Sequence, residues 1–232
     1  MFAIAVIAMI YHMFYGMQKS YGNLEGALAI MANGALILQF PVAHSFLLSQ
    51  RGQKILSLLG PKDLAISLST TSFTIVASIQ LFALFMLWSP SKIVFALPFE
   101  FLIYILPILY CLSWFLLIVA TIDAGLEVQS GALGWISVLA RNKPKFPELP
   151  TTGLYKIIRH PIYASFFLAV LTVPTWTADQ IVVSLILGGY CIFAPILKDR
   201  RLTERHGEKY LRYKNTTPVS YTHLTLPTIR EV

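Results

Sequence analysis

The sequence predicts an all-α, polytopic integral membrane protein of about six transmembrane helices, closed by a C-terminal helical hairpin and a cytoplasmic amphipathic helix. Three observations predict it. Of 232 residues, 56% are hydrophobic and only 12% charged, with a mean hydropathy of +0.67, a balance outside that of soluble domains. Six apolar segments approach or reach the roughly 17–25 residues that a helical span requires. Lysine and arginine gather on alternate connections between them.

Taken in order, the spans are expected at about residues 2–16, 26–48, 65–88, 95–121, 161–177 and 180–197. No charged leading region or small-residue cleavage site marks the first as a secretory signal. The connection after the second span carries Arg51, Lys54 and Lys62, and that after the fourth carries Arg141, Lys143, Lys145, Lys156 and Arg159. Seven more cations follow the sixth, from Lys198 to Lys214, whereas the other three connections hold only Lys19 and Lys92. Fifteen cations against two place both termini in the cytoplasm. The net charge of +7 therefore reads as membrane topology, and nucleic acid is not an expected partner. Thr177, Ala178 and Asp179 alone separate the last two spans, which calls for a tight helical hairpin. Cys111 and Cys191 lie in apolar runs without ligand spacing, so neither a disulfide framework nor a metal site is expected.

The stretch "VSYTHLTLPT", Val219 to Thr228, matches one reading frame of a common transposase sequencing adapter. Residues 219–232 are therefore expected to be read-through, and 1–218 a single domain. His223 accordingly enters no site.

The most informative segment is "TTGLYKIIRHPIYASFF", residues 151–167. Proline disfavours the α conformation in the residue before it and suits the first helical turn, so His160 ends one segment and Pro161 begins the fifth span. His160 thus stands at a helix N-terminus, where free N–H groups and the helix dipole attract anions. Lys156 and Arg159 reinforce that field, and Tyr163 projects one turn further on. A topology anchor is the plainer reading of Lys156. After the sixth span, "LKDRRLTERHGEKYLRYK" repeats Leu202, His206, Tyr210 and Tyr213 at helical spacing, giving one face for the membrane surface or the hairpin. Asp199 and Glu204 are its acids nearest the membrane. The short hairpin link brings Asp199 near His160 and Tyr163, although helix ion pairs with Arg200, Arg201, Arg205 or Lys209 would also employ these acids.

"GLYKIIRHPIY", a span, a turn, a second span and "KDRRLTERHGEKYLRY" together resemble the C-terminal signature of membrane methyltransferases related to isoprenylcysteine carboxyl methyltransferase and the bacterial phospholipid methyltransferases. The resemblance covers about residues 147–214. It implies S-adenosylmethionine as cofactor, held by Pro147, Glu148, Leu149, Pro150, Tyr155, His160, Pro161, Ile162, Tyr163 and Asp199; Glu204, the other acid of the last segment near the membrane, is a further candidate for cofactor binding. Arg159 and Asp199 are the residues expected to serve catalysis, Arg159 by holding the cofactor carboxylate or an anionic acceptor. Three positions depart from the pattern: Lys198–Asp199 stands for a Glu-Glu pair, Ser165 for a glycine, and His206 for an aromatic residue. Lys198 thus puts a cation where an acid usually meets the cofactor's amino end.

"FPVAHSFLLSQRGQKILSLLGP" and a following span ending "LWSPS" resemble methanethiol S-methyltransferases and membrane proteins associated with nitrite and nitric oxide metabolism. His44, inside or near the end of the second span, is a functional candidate on position alone. His12, Glu100, Asp123 and Glu127 are expected to serve packing or the membrane interface. The function expected is methyl transfer to a small or lipidic thiol, carboxylate or amine in a bacterial inner membrane. A nicotinamide-dependent reductase of the sterol type and a non-enzymatic accessory protein are the alternatives.

Overall fold

The computed structural model describes residues 1–59 and 61–219, so most of the expected read-through tail lies outside the described residues. Among these, the α-helices in chain order are α1 (Phe2–Phe14), α2 (Gly26–Leu47), α3 (Gln50–Leu56), α4 (Ala65–Leu87), α5 (Leu102–Asp123), α6 (Leu126–Gln129), α7 (Ala132–Leu139), α8 (Pro161–Leu171), α9 (Ala178–His206) and α10 (Glu208–Thr216). An isolated antiparallel bridge joins Val94 to Thr177. Helices α2, α4, α5 and α9 are long and apolar enough to cross a membrane, while α1 and α8 are apolar but shorter.

Several expected boundaries move. The fourth apolar segment becomes helical only at Leu102, because residues 95–101 form a turn-rich approach that includes Pro98. The fifth stops at Leu171, and eleven residues at about 1.5 Å each cover only about half of a hydrocarbon core roughly 30 Å thick. The hairpin link is therefore residues 172–177, longer than the three residues expected. Its end is set by Thr177, whose Oγ1 accepts from the Gln180 N–H at 3.0 Å and caps α9. Asp179 consequently belongs to the first turn of α9.

Helix α9 also runs past the expected end of the sixth span and stops only at Gly207, whose φ of +53° suits a residue without a side chain. The expected amphipathic helix is thereby divided: Leu202 and His206 close α9, while Tyr210 and Tyr213 lie on α10.

Helix α4 packs against α1, α2 and α7, and α8 packs between α5 and α9. Met13, Leu84, Phe85, Trp88, Tyr110, Trp114, Val170, Val183 and Leu187 form the core between them. Outward-facing Leu28, Ile30, Met31, Tyr104, Ile108, Phe115, Leu185, Phe193 and Ile196 remain exposed. An apolar surface on this scale is what lipid contact requires.

The turn after α1, the segment after α4 and the start of α9 meet at one end of the bundle. Buried Asp179 joins them, accepting from Gln18 Nε2 (2.9 Å), Trp88 Nε1 (3.0 Å), the Ser91 N–H (2.8 Å) and Ser91 Oγ (2.7 Å). The opposite end carries the loop from α5 to α8, the end of α9 and all of α10.

Candidate active site

At the end of the bundle that carries His160, a cleft of about 720 Å³, open solvent included, lies between the 146–150 strap, the turn before α8, and helices α9 and α10. Pro147, Glu148, Leu149, Pro150 and Tyr155, expected to hold the cofactor, line it together with Arg159, expected to serve catalysis. Leu202, His206, Tyr210 and Tyr213 form the facing wall, so the helical stripe assigned to the membrane surface or hairpin borders the cleft.

Local backbone chemistry sets this strap. Gly153 has φ +58°, and a Cβ there would meet Asp123 Oδ2 at 2.1 Å. That space admits the Leu154 N–H to Asp123 Oδ2 at 2.8 Å. The carboxylate at the end of α5 therefore anchors the 3₁₀ turn Gly153–Lys156 and with it Tyr155, a packing role for Asp123. Tyr213 Oη donates to the Tyr155 carbonyl at 2.6 Å, and the Arg159 N–H donates to the Pro218 carbonyl at 3.0 Å. The chain after α10 thus returns to hold the turn. At the mouth, Lys209 Nζ meets Glu148 Oε2 at 2.6 Å and holds the Glu148 carboxyl below its ordinary range.

Behind the cleft wall, Asp199 collects cations and donors. His160 Nε2 lies 2.6 Å from Asp199 Oδ1, Tyr210 Oη donates to the same oxygen, Arg159 Nη1 approaches Oδ2 at 3.1 Å, and Lys214 Nζ stands 3.9 Å away. Burial lowers the His160 imidazole below its ordinary value, outweighing the opposing hydrogen bond to Asp199. A neutral ring facing a carboxylate must carry its proton on Nε2, which leaves Nδ1 as an acceptor. Burial raises the Tyr155 and Tyr210 phenols and pushes Tyr213 up to about 12, so all three remain neutral donors.

Tyr155 Oη, Arg159 Nε and Nη1, and His160 Nδ1 are buried without hydrogen-bond partners. Arg159 Nη1 is close enough to Asp199 for attraction but lacks hydrogen-bond geometry. Unmet buried polar atoms are costly, and two of these three side chains line the cleft. The donor set fits an amino acid carboxylate at Arg159, and the rings of Tyr155, Tyr210 and Tyr213 fit a sulfonium or a purine.

The remaining candidates lie apart. Pro161 occupies the first turn of α8 and is buried. The Tyr163 ring stands 6.0 Å from that of His160 and 6.4 Å from that of Tyr190. Neither it nor Ile162 lines the cleft. Glu204 is exposed, pairs with Arg200 at 3.1 Å, and borders a separate surface cleft shared with Asp199. His44 packs among Phe40, Phe73 and Tyr190 at 5.2, 4.9 and 6.3 Å, away from the cleft. Conversely, Val128 and Gln129, which border the cleft after α5, were not expected. Their sequence signal is the pair of flanking glycines, Gly125 and Gly131, both with positive φ.

No protein-family profile and no solved structure matches the chain. Curated relatives do. A methanethiol S-methyltransferase of Pseudomonas deceptionensis is 27% identical over 219 residues, covering 93% of this chain and 80% of its own. One from Crocosphaera subtropica is 26% identical over 204 residues, 87% of this chain and 77% of its own. Methanethiol S-methyltransferase 1 of Bradyrhizobium diazoefficiens is 26% identical over 187 residues, 80% of this chain and 64% of its own. Over most of its length, then, the chain is similar to proteins named methanethiol S-methyltransferase, the likeness of a membrane methyltransferase family.

Proposed function

We propose that this protein transfers a methyl group from S-adenosylmethionine to a small thiol at the membrane. The observation that carries the reading is the cleft, in which Tyr155 and Arg159 present buried polar atoms without partners beside three tyrosine rings. Its similarity to methanethiol S-methyltransferases supports the thiol as acceptor.

When bound, the cofactor supplies an electrophilic methyl on a sulfonium. The chain's part is positioning and water exclusion, since displacement at such a methyl needs alignment more than acid or base. Arg159 Nε and Nη1 hold a carboxylate, with Asp199 fixing the guanidinium from behind. Tyr155, Tyr210 and Tyr213 offer ring faces to a cation. Pro147 to Pro150 form the outer wall, tied to α10 by Glu148 and Lys209. His160 positions Asp199, and Pro161 sets where α8 begins.

On this reading residues 1–218 form one methyltransferase-like unit, with 147–214 as its cofactor core. The six apolar helices all enter the bilayer, α1 and α8 only partway. Both termini and the cleft lie on the cytoplasmic side of a bacterial inner membrane, a sidedness that the charge asymmetry supports. Titrating the purified protein with S-adenosylmethionine and separately with NADPH tests the proposal, followed by mass spectrometry of products formed from methanethiol. Saturable binding of the first and formation of dimethyl sulfide are expected. Binding of NADPH alone would support a reductase instead, and binding of neither would refute both enzymes.

A further inference from the structure

We infer that Lys198 is the acceptor-binding residue, a cation that captures the small thiol as its thiolate at the inner wall of the cleft. This rests on the methyltransferase reading and names a residue that the reading does not employ.

Lys198 lines the cleft where α9 leaves the apolar hairpin, and its Nζ stands 5.6 Å from the centre of the Tyr163 ring. Among the described residues, no carboxylate lies within ion-pairing distance of it. The neighbouring cation Arg159 is engaged by Asp199 at 3.1 Å. Arg205, the third cation at the cleft, is exposed and leans on Phe146. Lys198 is thus half-buried between an aromatic ring and an apolar helix pair, in a place where an ammonium is poorly solvated. Removing a charge from water is unfavourable unless a counter-charge is supplied. A sulfonium cannot supply it, whereas an anion can.

A thiol is mostly protonated at neutral pH, and only its thiolate is a strong nucleophile. A cation nearby favours ionisation by about 1–3 pKa units. The step at Lys198 is ionisation: the S–H bond breaks, its electron pair stays on sulfur, and the proton leaves to water while Lys198 remains an ammonium. A neutral thioether product loses this attraction and is released. The Tyr163 ring keeps Nζ in place and excludes water from one side.

The test compares wild type with Lys198→Met and Lys198→Arg in detergent micelles, using methanethiol as probe. In Lys198→Met, kcat/KM for methanethiol at pH 7 should fall about tenfold or more. The loss should lie mainly in KM and shrink at alkaline pH, where the thiol ionises unaided. Lys198→Arg should restore most of it. Thermal denaturation of both variants in the same micelles should match wild type, which establishes that they fold. Independently of turnover, methanethiol should protect Lys198 of the cofactor-free wild type against an amine-acylating reagent, read by peptide mass spectrometry. An unchanged KM and pH profile in Lys198→Met, or acylation undiminished by methanethiol, would overturn the inference while methyl transfer by wild type stands. Absence of methyl transfer and of cofactor binding in wild type would instead defeat the underlying reading.

Discussion

His160 Nε2 lies 2.6 Å from Asp199 Oδ1, joining the residue before α8 to the last quarter of α9. This contact crosses 39 positions in the chain and closes the hairpin at the end that carries the cleft. Arg159 and Tyr210 reach the same carboxylate. Asp199→Asn should cost about 1.5–3 kcal/mol, the scale of a hydrogen bond to a charged group. Denaturation in mixed micelles measures it. Cofactor affinity should fall as well, because Arg159 loses the anion that orients it.

The His160 imidazole is held below its ordinary value by burial, with Lys198 and Arg159 adding repulsion and Asp199 opposing. Unfolded protein therefore binds the proton first as pH falls. The stabilisation is fully present above about pH 6.5, the unfolded value, and declines below it until the folded value is passed. Apparent melting temperature should be flat from pH 8 to 7 and drop toward pH 5. In His160→Gln that acid-side drop should be smaller.

Tyr155 Oη is buried without a partner. Tyr155→Phe removes a group that folding leaves unsatisfied, so stability should hold or rise slightly. If Oη serves the cofactor, affinity for S-adenosylmethionine should nevertheless fall severalfold. Calorimetric titration and thermal denaturation of the same sample separate the two effects.

Gly153→Ala sets a Cβ against Asp123 Oδ2 and forces a side chain into positive φ. A loss of about 1–3 kcal/mol is expected, together with weaker cofactor binding through displacement of Tyr155. Gly189 in α9 has open space at its Cβ position. Gly189→Ala should therefore be neutral or stabilising by up to about 1 kcal/mol. Parallel unfolding curves check the contrast.

Asp179 offers a test at the opposite end. Asp179→Ala leaves the donors of Gln18, Trp88 and Ser91 without their acceptor, at about 1–3 kcal/mol for an unsatisfied buried group. Stability should drop sharply, while the cofactor dissociation constant of the folded fraction stays unchanged. Loss of affinity equal to that of Asp199→Asn would show the two ends to be coupled.

Several residues that line the cleft were candidates in the sequence because their signals are local. Pro161 sets a helix start whatever surrounds it, and the strap before it is punctuated by Pro147, Pro150 and Gly153. Tyr163 and Glu204 were candidates as well, but neither lines the cleft. Their directions depend on how α8 and α9 rotate against each other, which neither motif encodes. The cleft-lining role of Tyr210 was equally hidden, since it depends on the bend at Gly207.

By itself the sequence determined the membrane class, the helical composition, the start of α8 and the clustering of cations on alternate connections. These follow from transfer energies and backbone sterics that act within a few residues. Only the tertiary structure decided that Asp199 faces His160 and Arg159, that Asp179 ties three segments together, and that Lys198 lines the cleft with no carboxylate of the described residues in ion-pairing distance. A charged side chain takes its partner from whatever helix packing brings within a few ångströms, and that packing is a property of the whole chain.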